Sequence, residues 1–220
     1  IDYAFGRGNW AVAFAQAGAR RVVAVDASFD NCPRLGDWVA SRRIDNVEVV
    51  HGNILEGDIP VTADIVWAHG MIPVIADPVG LLSRLREKAT NDNSLFHLYT
   101  YDRFSMRQWV VELARRFAYY NDEATFRADA PLFSHTARMR ARDDLTSPVV
   151  WWHSAAELAE LAKGAGLSVV ERNPDFSAWT HGGIADEEFQ PHNLLCINRP
   201  GETVLAALQE PPRQHSGDLS

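Results

Sequence analysis

The chain has 220 residues and a formal net charge of −8, with 46% hydrophobic residues and two cysteines. That suits one large domain with a continuous core and needs no disulfide or metal to hold it together. It excludes a disulfide scaffold, disfavours a general nucleic-acid binder, and offers neither a membrane-length apolar run nor a signal-peptide start. A reduced, cytoplasmic setting fits two unpaired cysteines best. The first residue is not Met and the first residues already read as a strand, so the natural N-terminus is expected to lie upstream.

In chain order, short apolar runs alternate with amphipathic stretches, the pattern of βα units around a parallel sheet. Ile1 to Phe5 reads as a strand, followed by Gly6-Arg7-Gly8 and a helix from about Asn9 to Ala17. Arg21 to Asp26 is a second, buried strand that closes on an acid, and a helix runs from about Pro33 to Arg42. Strands are predicted at Val47 to His51, Asp64 to Ala68 and Ser94 to Tyr101, with a helix at about Val79 to Lys88 between the last two. Residues 103–153 break the rhythm and read as a helical insertion capping the sheet. Ser154 and Glu157 form a capping box for a helix that Gly164 and Gly166 stop. Leu167 to Glu171 and His192 to Asn198 are the last two strands, and 201–220 is a tail.

The chemistry concentrates at Asp2-Tyr-Ala4-Phe-Gly6-Arg-Gly8, with Asp26 at the end of the next strand. Glycines there admit a ligand close to the backbone, and the helix start offers free amides and partial positive charge. An acid closing the second strand can accept two hydrogen bonds from vicinal ribose hydroxyls. The pattern describes a nucleoside crevice. Gly6 to Ala11 with Asp26 also satisfies a dinucleotide fingerprint, but Asp2 inside the first strand argues for a ligand amino group instead. Gly52-Asn53-Ile54, after the third strand, could edge onto an adenine ring.

These residues resemble the class I S-adenosylmethionine-dependent methyltransferases. The resemblance spans Ile1 to Pro200 and rests on Asp2 to Gly8, Val25 to Ser28, and Gly52 to Ile54. Ala63 to Met71 with Asp77-Pro78, and Ser154 to Leu167, look like the fourth-strand region and the helix before the sixth strand. It implies an α/β fold: a Rossmann-like, seven-stranded, mostly parallel sheet with the last strand antiparallel, helices on both faces, and a helical lid at 103–153. The implied domain is 1–200, and the implied cofactor is S-adenosyl-L-methionine.

By position, Asp2, Ala4, Gly6 and Gly8 would line the methionine end of the cofactor. Asp26 would bind ribose, Ala27 would pack on adenine, and Asn53 with the Ile54 amide would meet the adenine edge. His69 and Gly70 would face the sulfonium. Ala4 stands where the first motif glycine stands and is accommodated if its φ is negative. Asn53 replaces an acid but keeps a carbonyl acceptor. His69, Tyr101 and His153 are the candidates for acceptor contact or proton removal; no metal set is evident.

The expected activity is methylation of oxygen or nitrogen on a small-molecule acceptor, with no nucleic-acid or membrane partner and a homodimer left open. Competing readings are transfer of the aminocarboxypropyl chain with release of methylthioadenosine, an NAD-dependent oxidoreductase, and a non-catalytic binder with a decayed site. Each candidate also has a plainer reading. Asp2 could merely cap the helix, His69 could bond backbone near the core, and Trp151-Trp152-His153 could be a staple and wall. Tyr99 and Tyr101 could simply pack. The arginines of 101–150 are read as an ion-paired surface, with Arg138, Arg140 and Arg142 the exception by their alternate spacing. Cys32 and Cys196 are ordinary thiols.

Overall fold

The computed structural model describes residues 1–57, 61–103, 106–117, 145, 147, 149–172 and 192–197. The tail, the strip Arg138 to Arg142 and much of the expected insertion lie outside the described residues. The sheet is eight-stranded. Its path runs β3 (Val47–His51), β2 (Val22–Asp26), β1 (Asp2–Tyr3), β4 (Ile65–Ala68), β5 (Leu95–Asp102), β8 (His192–Ile197), β7 (Ser168–Arg172). A two-residue strand, β6 (Trp152–His153), pairs parallel with the end of β5 off this path. Strands β1 to β5 are mutually parallel, and β8 runs antiparallel to both its neighbours.

β2 is buried along its whole length, as its unbroken Val-Val-Ala-Val run requires of a strand covered on both faces. On one face, Tyr3, Val23, Val25, Val66, Phe96 and Leu98 form the main core with α3 (Pro78–Arg86) and α5 (Ala155–Gly164). On the other, Val22 and Ala24 pack against α1 (Asn9–Gln16) and α2 (Asn31–Ser41). α1 buries Ala11 and Ala15 against the sheet, with Trp10 and Phe14 beside them on Trp67 of β4. A smaller cluster joins α4 (Met106–Phe117) to β6 through Val111, Leu145 and Trp152. No helix among the described residues is long and apolar enough to cross a membrane.

The sequence expectations differ from this fold in three places. The first strand is two residues rather than five, because the chain turns as soon as Ala4 N–H bonds Val25 O at 2.7 Å. Ala4 has φ +53°, not the negative value expected, since that turn enters the left-handed region two residues before the first glycine. The sheet has eight strands instead of seven. Trp152 and His153 add to β5 as a strand where a staple was expected, and two residues carry too little periodicity to announce one.

Two helix starts show how local chemistry fixes these elements. Asp77 Oδ1 accepts from Gly80 N–H at 2.8 Å, with Pro78 in the first turn of α3. Ser154 Oγ accepts from Glu157 N–H at 3.2 Å and Glu157 Oε2 accepts from Ser154 N–H at 2.8 Å, a complete capping box for α5. Arg103 pairs with the same Glu157 and joins the end of β5 to this cap. Ser154→Ala should therefore lower unfolding stability by about 1 kcal/mol, read as a shift of the urea midpoint with unchanged slope.

Candidate functional site: a crevice between two carboxylates

The strand order reverses between β1 and β4, so the crevice lies at the carboxyl ends of the strands around that switch point. The loop leaving β1 is held there by Asp26. Its Oδ2 accepts from Gly6 N–H at 2.9 Å and from Asn31 Nδ2 at 3.3 Å, while Oδ1 accepts from Ser28 N–H at 2.8 Å. Gly52 N–H also bonds the Asp26 carbonyl, so the loops after β1, β2 and β3 converge on one residue. A carboxylate has about four acceptor sites, so this arrangement leaves Asp26 capacity for a ligand.

In the loop, left-handed residues alternate: Ala4, Gly6 and Gly8 have positive φ. Gly6 has φ +56° with nothing within 4 Å of where a Cβ would sit, so space opens directly against the backbone. Gly8 has φ +80°, and a Cβ there would meet Leu35 Cδ1 at 2.4 Å, because α2 packs onto the start of α1. Gly6 leaves room for a ligand; Gly8 leaves room for the fold.

Asp2 sits below this loop. Gly8 is the N-cap of α1 and supplies no side-chain cap; the nearby Ala11 amide favours the ionised form of Asp2. Asp2 Oδ2 is buried with no partner among the described residues. Burial pushes its carboxyl up to about 7, against the opposing pull of the Ile1 ammonium and the Ala11 amide.

At the next loop, Asn53 Oδ1 accepts from Leu55 N–H at 3.0 Å, which closes an Asx turn. The expected free carbonyl acceptor is therefore already engaged, and no bond of Nδ2 is found among the described residues. Ile54 is buried, and its carbonyl is held by Arg84 Nη1 at 3.1 Å from α3. Ala27 O contacts His51 Nε2 at 3.1 Å, and the His51 ring lies 4.2 Å from that of Phe29. Phe29 is 81% exposed. The sequence reading passed over this pair; an exposed phenylalanine directly after Val-Asp-Ala-Ser was its signal.

His69 follows β4, with Gly70 beyond it at φ +79°. Its ring is half-buried and packs between Trp10 (5.5 Å) and Tyr99 (4.2 Å). Nδ1 is enclosed without a partner among the described residues, and burial pushes the imidazole down to about 4. The backbone bond weighed for this histidine is thus absent at Nδ1. Tyr101 lies along the same strand face as Tyr99, two residues on.

His153 does not join them. It pairs with position 102 of β5, and its Nδ1 lies 3.1 Å from the Oγ1 of Thr100, a fully buried residue. Positions 100 and 102 alternate with 99 and 101, so His153 belongs to the opposite face of the sheet from His69. Burial lowers its pKa as well, with Glu157 opposing and Arg103 adding to the shift. Cys32 donates to the carbonyls of Asp26 and Val50, and burial raises both Cys32 and Cys196, as befits structural thiols.

The segment before α5 is tied across the crevice. Trp151 N–H donates to Pro73 O at 2.7 Å and its Nε1 to Ile75 O at 2.8 Å, while Trp152 Nε1 donates to Glu112 Oε1 at 3.0 Å. The loop after β4, the β6 strand and α4 therefore move as one wall.

No family model matches the sequence, and no curated protein matches it. Solved structures do match by shape. A magnesium protoporphyrin IX methyltransferase from Synechocystis PCC 6803 with bound S-adenosylhomocysteine aligns at TM-score 0.57 and 13% identity, over 89% of this chain and 72% of that one. A putative sarcosine dimethylglycine methyltransferase from Galdieria sulphuraria aligns at 0.60 and 13%, over 92% and 78%. An O-methyltransferase of neocarzinostatin biosynthesis, with S-adenosylhomocysteine and 1,4-dihydroxy-2-naphthoic acid, aligns at 0.58 and 16%, over 89% of this chain and 48% of its own length.

Two substitutions separate the loop's two kinds of position. Ala4→Gly should raise stability by about 0.5–1 kcal/mol, because it removes a left-handed alanine. Gly8→Ala should lower it by about 2–3 kcal/mol, through both its φ and the Leu35 contact. Thermal melts of the two variants should move in opposite directions. From the strand order, the glycine loop and these structural likenesses together, the chain has the class I S-adenosylmethionine-dependent methyltransferase fold.

Proposed function

We propose that the protein is a methyltransferase that uses S-adenosyl-L-methionine on a small-molecule acceptor. The observation that carries this reading is the unpartnered, buried Oδ2 of Asp2 beneath an open glycine loop. A dinucleotide would bring its pyrophosphate to such a loop, against a buried carboxylate. A ligand with an ammonium group would satisfy that carboxylate. The residues present fit the cofactor: Asp2 for the amino group, the Gly6 region for the methionine end, and Asp26 for the ribose hydroxyls. Ala27, Ile54 and the Asn53 amide suit the adenine.

When bound, the cofactor supplies an electrophilic methyl. A proton on the acceptor atom would have to pass to a base of this chain as the methyl is taken up, with His69 the candidate. The chain's own contribution is alignment and exclusion of water. Asp26 fixes the loop before any ligand arrives. His69 stands neutral at pH 7, so it can accept a hydrogen bond from the acceptor. At about 4 its imidazole is too weak a base to ionise an alcohol or amine beforehand, and takes a proton only as the new bond forms. Tyr101 and Trp152, which pair across β5 and β6, border the same space. A similar protein named for magnesium protoporphyrin IX and another holding a dihydroxynaphthoic acid support a small-molecule acceptor.

Calorimetry tests the cofactor. S-adenosylhomocysteine should bind and NADH should not; release of methylthioadenosine during turnover would replace methyl transfer with aminocarboxypropyl transfer. His69→Asn should lower kcat about 10-fold or more with S-adenosylhomocysteine affinity retained, and unchanged turnover would remove His69 from the reaction.

Asp2 gives a second test. Its folded pKa lies above the ordinary 3.8, so the folded state holds the extra proton between about 4 and 7. The contribution to stability is therefore full below about 4 and is lost as pH rises through about 7. Asp2→Asn should match the parent at pH 4 and exceed it at pH 8 by on the order of 2–4 kcal/mol, read by urea melts at both values. The same variant should bind S-adenosylhomocysteine at least about 10-fold more weakly.

A further inference from the structure

A row of aromatic rings runs away from the glycine loop along one sheet face. Trp10, in the first turn of α1, lies 5.5 Å from His69; His69 lies 4.2 Å from Tyr99; Tyr99 lies 5.6 Å from Tyr101; and Tyr101 lies 5.5 Å from Trp152. Strand parity explains the row. Asp2, Trp67 and His97 share a register line, so Trp67 with His69, and His97 with Tyr99 and Tyr101, all point to the α1 side. Beneath the row, Trp67 and His97 are stacked at 3.8 Å with planes 14° apart, and both are buried. Trp10, His69, Tyr99 and Tyr101 are only half-buried. The row is thus a series of partly exposed rings tilted against one another by 37° to 85°, beginning where the proposed cofactor crevice ends.

We propose that this row is the acceptor subsite and that it takes an uncharged aromatic molecule, packed against Tyr99 with the edge-on Tyr101 beside it and its reacting atom at His69. The assignment rests on the methyltransferase reading above. Three features favour that ligand class. The rings follow one another in a line from Trp10 to Trp152 rather than surrounding one point, as the rings of a quaternary-ammonium cage do. Its central polar group, His69, is neutral and lacks a partner at Nδ1 among the described residues, the usual plan of an apolar pocket with one orienting polar atom. A sulfonium at the same edge would repel a cationic acceptor.

The probes are 2-naphthol and its saturated analogue decahydro-2-naphthol, with binding read by tryptophan fluorescence quenching and by calorimetry on the whole chain. S-adenosylhomocysteine is titrated separately. The expected result is 2-naphthol binding at least about 10-fold tighter than the saturated alcohol. Tyr99→Leu should weaken 2-naphthol about 5- to 10-fold while leaving S-adenosylhomocysteine affinity unchanged, and Tyr99→Phe should retain both. Equal binding of the two alcohols, or displacement of 2-naphthol by tetramethylammonium, overturns the aromatic assignment. S-adenosylhomocysteine binding without 2-naphthol binding overturns this inference alone. Absence of S-adenosylhomocysteine binding overturns the cofactor reading and, with it, the row's role as an acceptor subsite.

Discussion

Everything at the carboxyl edge of the sheet depends on the hydrogen bonds that Asp26 accepts. Its two oxygens take the Gly6 and Ser28 amides and the Asn31 side chain, and its carbonyl takes the Gly52 amide. Bonds to a charged group are each worth about 1.5–3 kcal/mol, enough to hold a loop whose alternate residues sit at positive φ. The strain at Ala4 is tolerated for this reason. Gly6 cannot reach Asp26, nor Ala4 N–H its bond to Val25, unless the chain turns immediately after Tyr3. One carboxylate therefore sets the length of β1, the conformation of the loop and the starting point of α1.

The two acids of the crevice are chemically alike and environmentally opposite. Asp26 is surrounded by donors, so its negative charge is already balanced by oriented dipoles. Asp2 has the Ala11 amide nearby, and burial is what dominates its pKa. The first is a scaffold group with spare acceptor capacity. The second is a buried group with one oxygen unpartnered among the described residues, the feature on which the proposed cofactor reading rests. Sites commonly store unfavourable energy in this way, where a ligand supplies the missing partner.

Much of this was legible in the sequence because it is carried by residues with narrow conformational or chemical uses. Glycines spaced by one residue, an acid closing an all-apolar strand and a Ser-x-x-Glu box each have few structural solutions. What escaped depended on pairing between distant segments. Ala4 carries no mark of a positive φ; the bond to Val25 imposes it. β6 is two residues long and exists only because β5 extends past its neighbour β4. His153 read as a crevice residue by its place in the chain, yet strand parity sends it to Thr100 on the other face. The aromatic row lay half in view: Trp67-x-His69 and His97-x-Tyr99-x-Tyr101 alternate in plain sequence. Only the β4–β5 register joins them, and only the packing of α1 against the sheet brings Trp10 alongside.

The same stacking that builds the row decides what His69 can do. A histidine enclosed by Trp10, Tyr99 and the plane of His97, which lies 5.4 Å away at 11°, is kept neutral by desolvation. It cannot serve as a strong base, and methyl transfer does not demand one. The acidity of an alcohol or amine rises steeply as its new bond to carbon forms, so a weak base suffices at that moment and not before. In the proposed reaction the requirement falls on alignment: the aromatic row beside the acceptor, a segment tied by Trp151 and Trp152, and a loop held by Asp26. In such a site the precision comes from hydrogen bonds made to backbone, and the reacting face is left apolar, which is the division of labour this crevice shows.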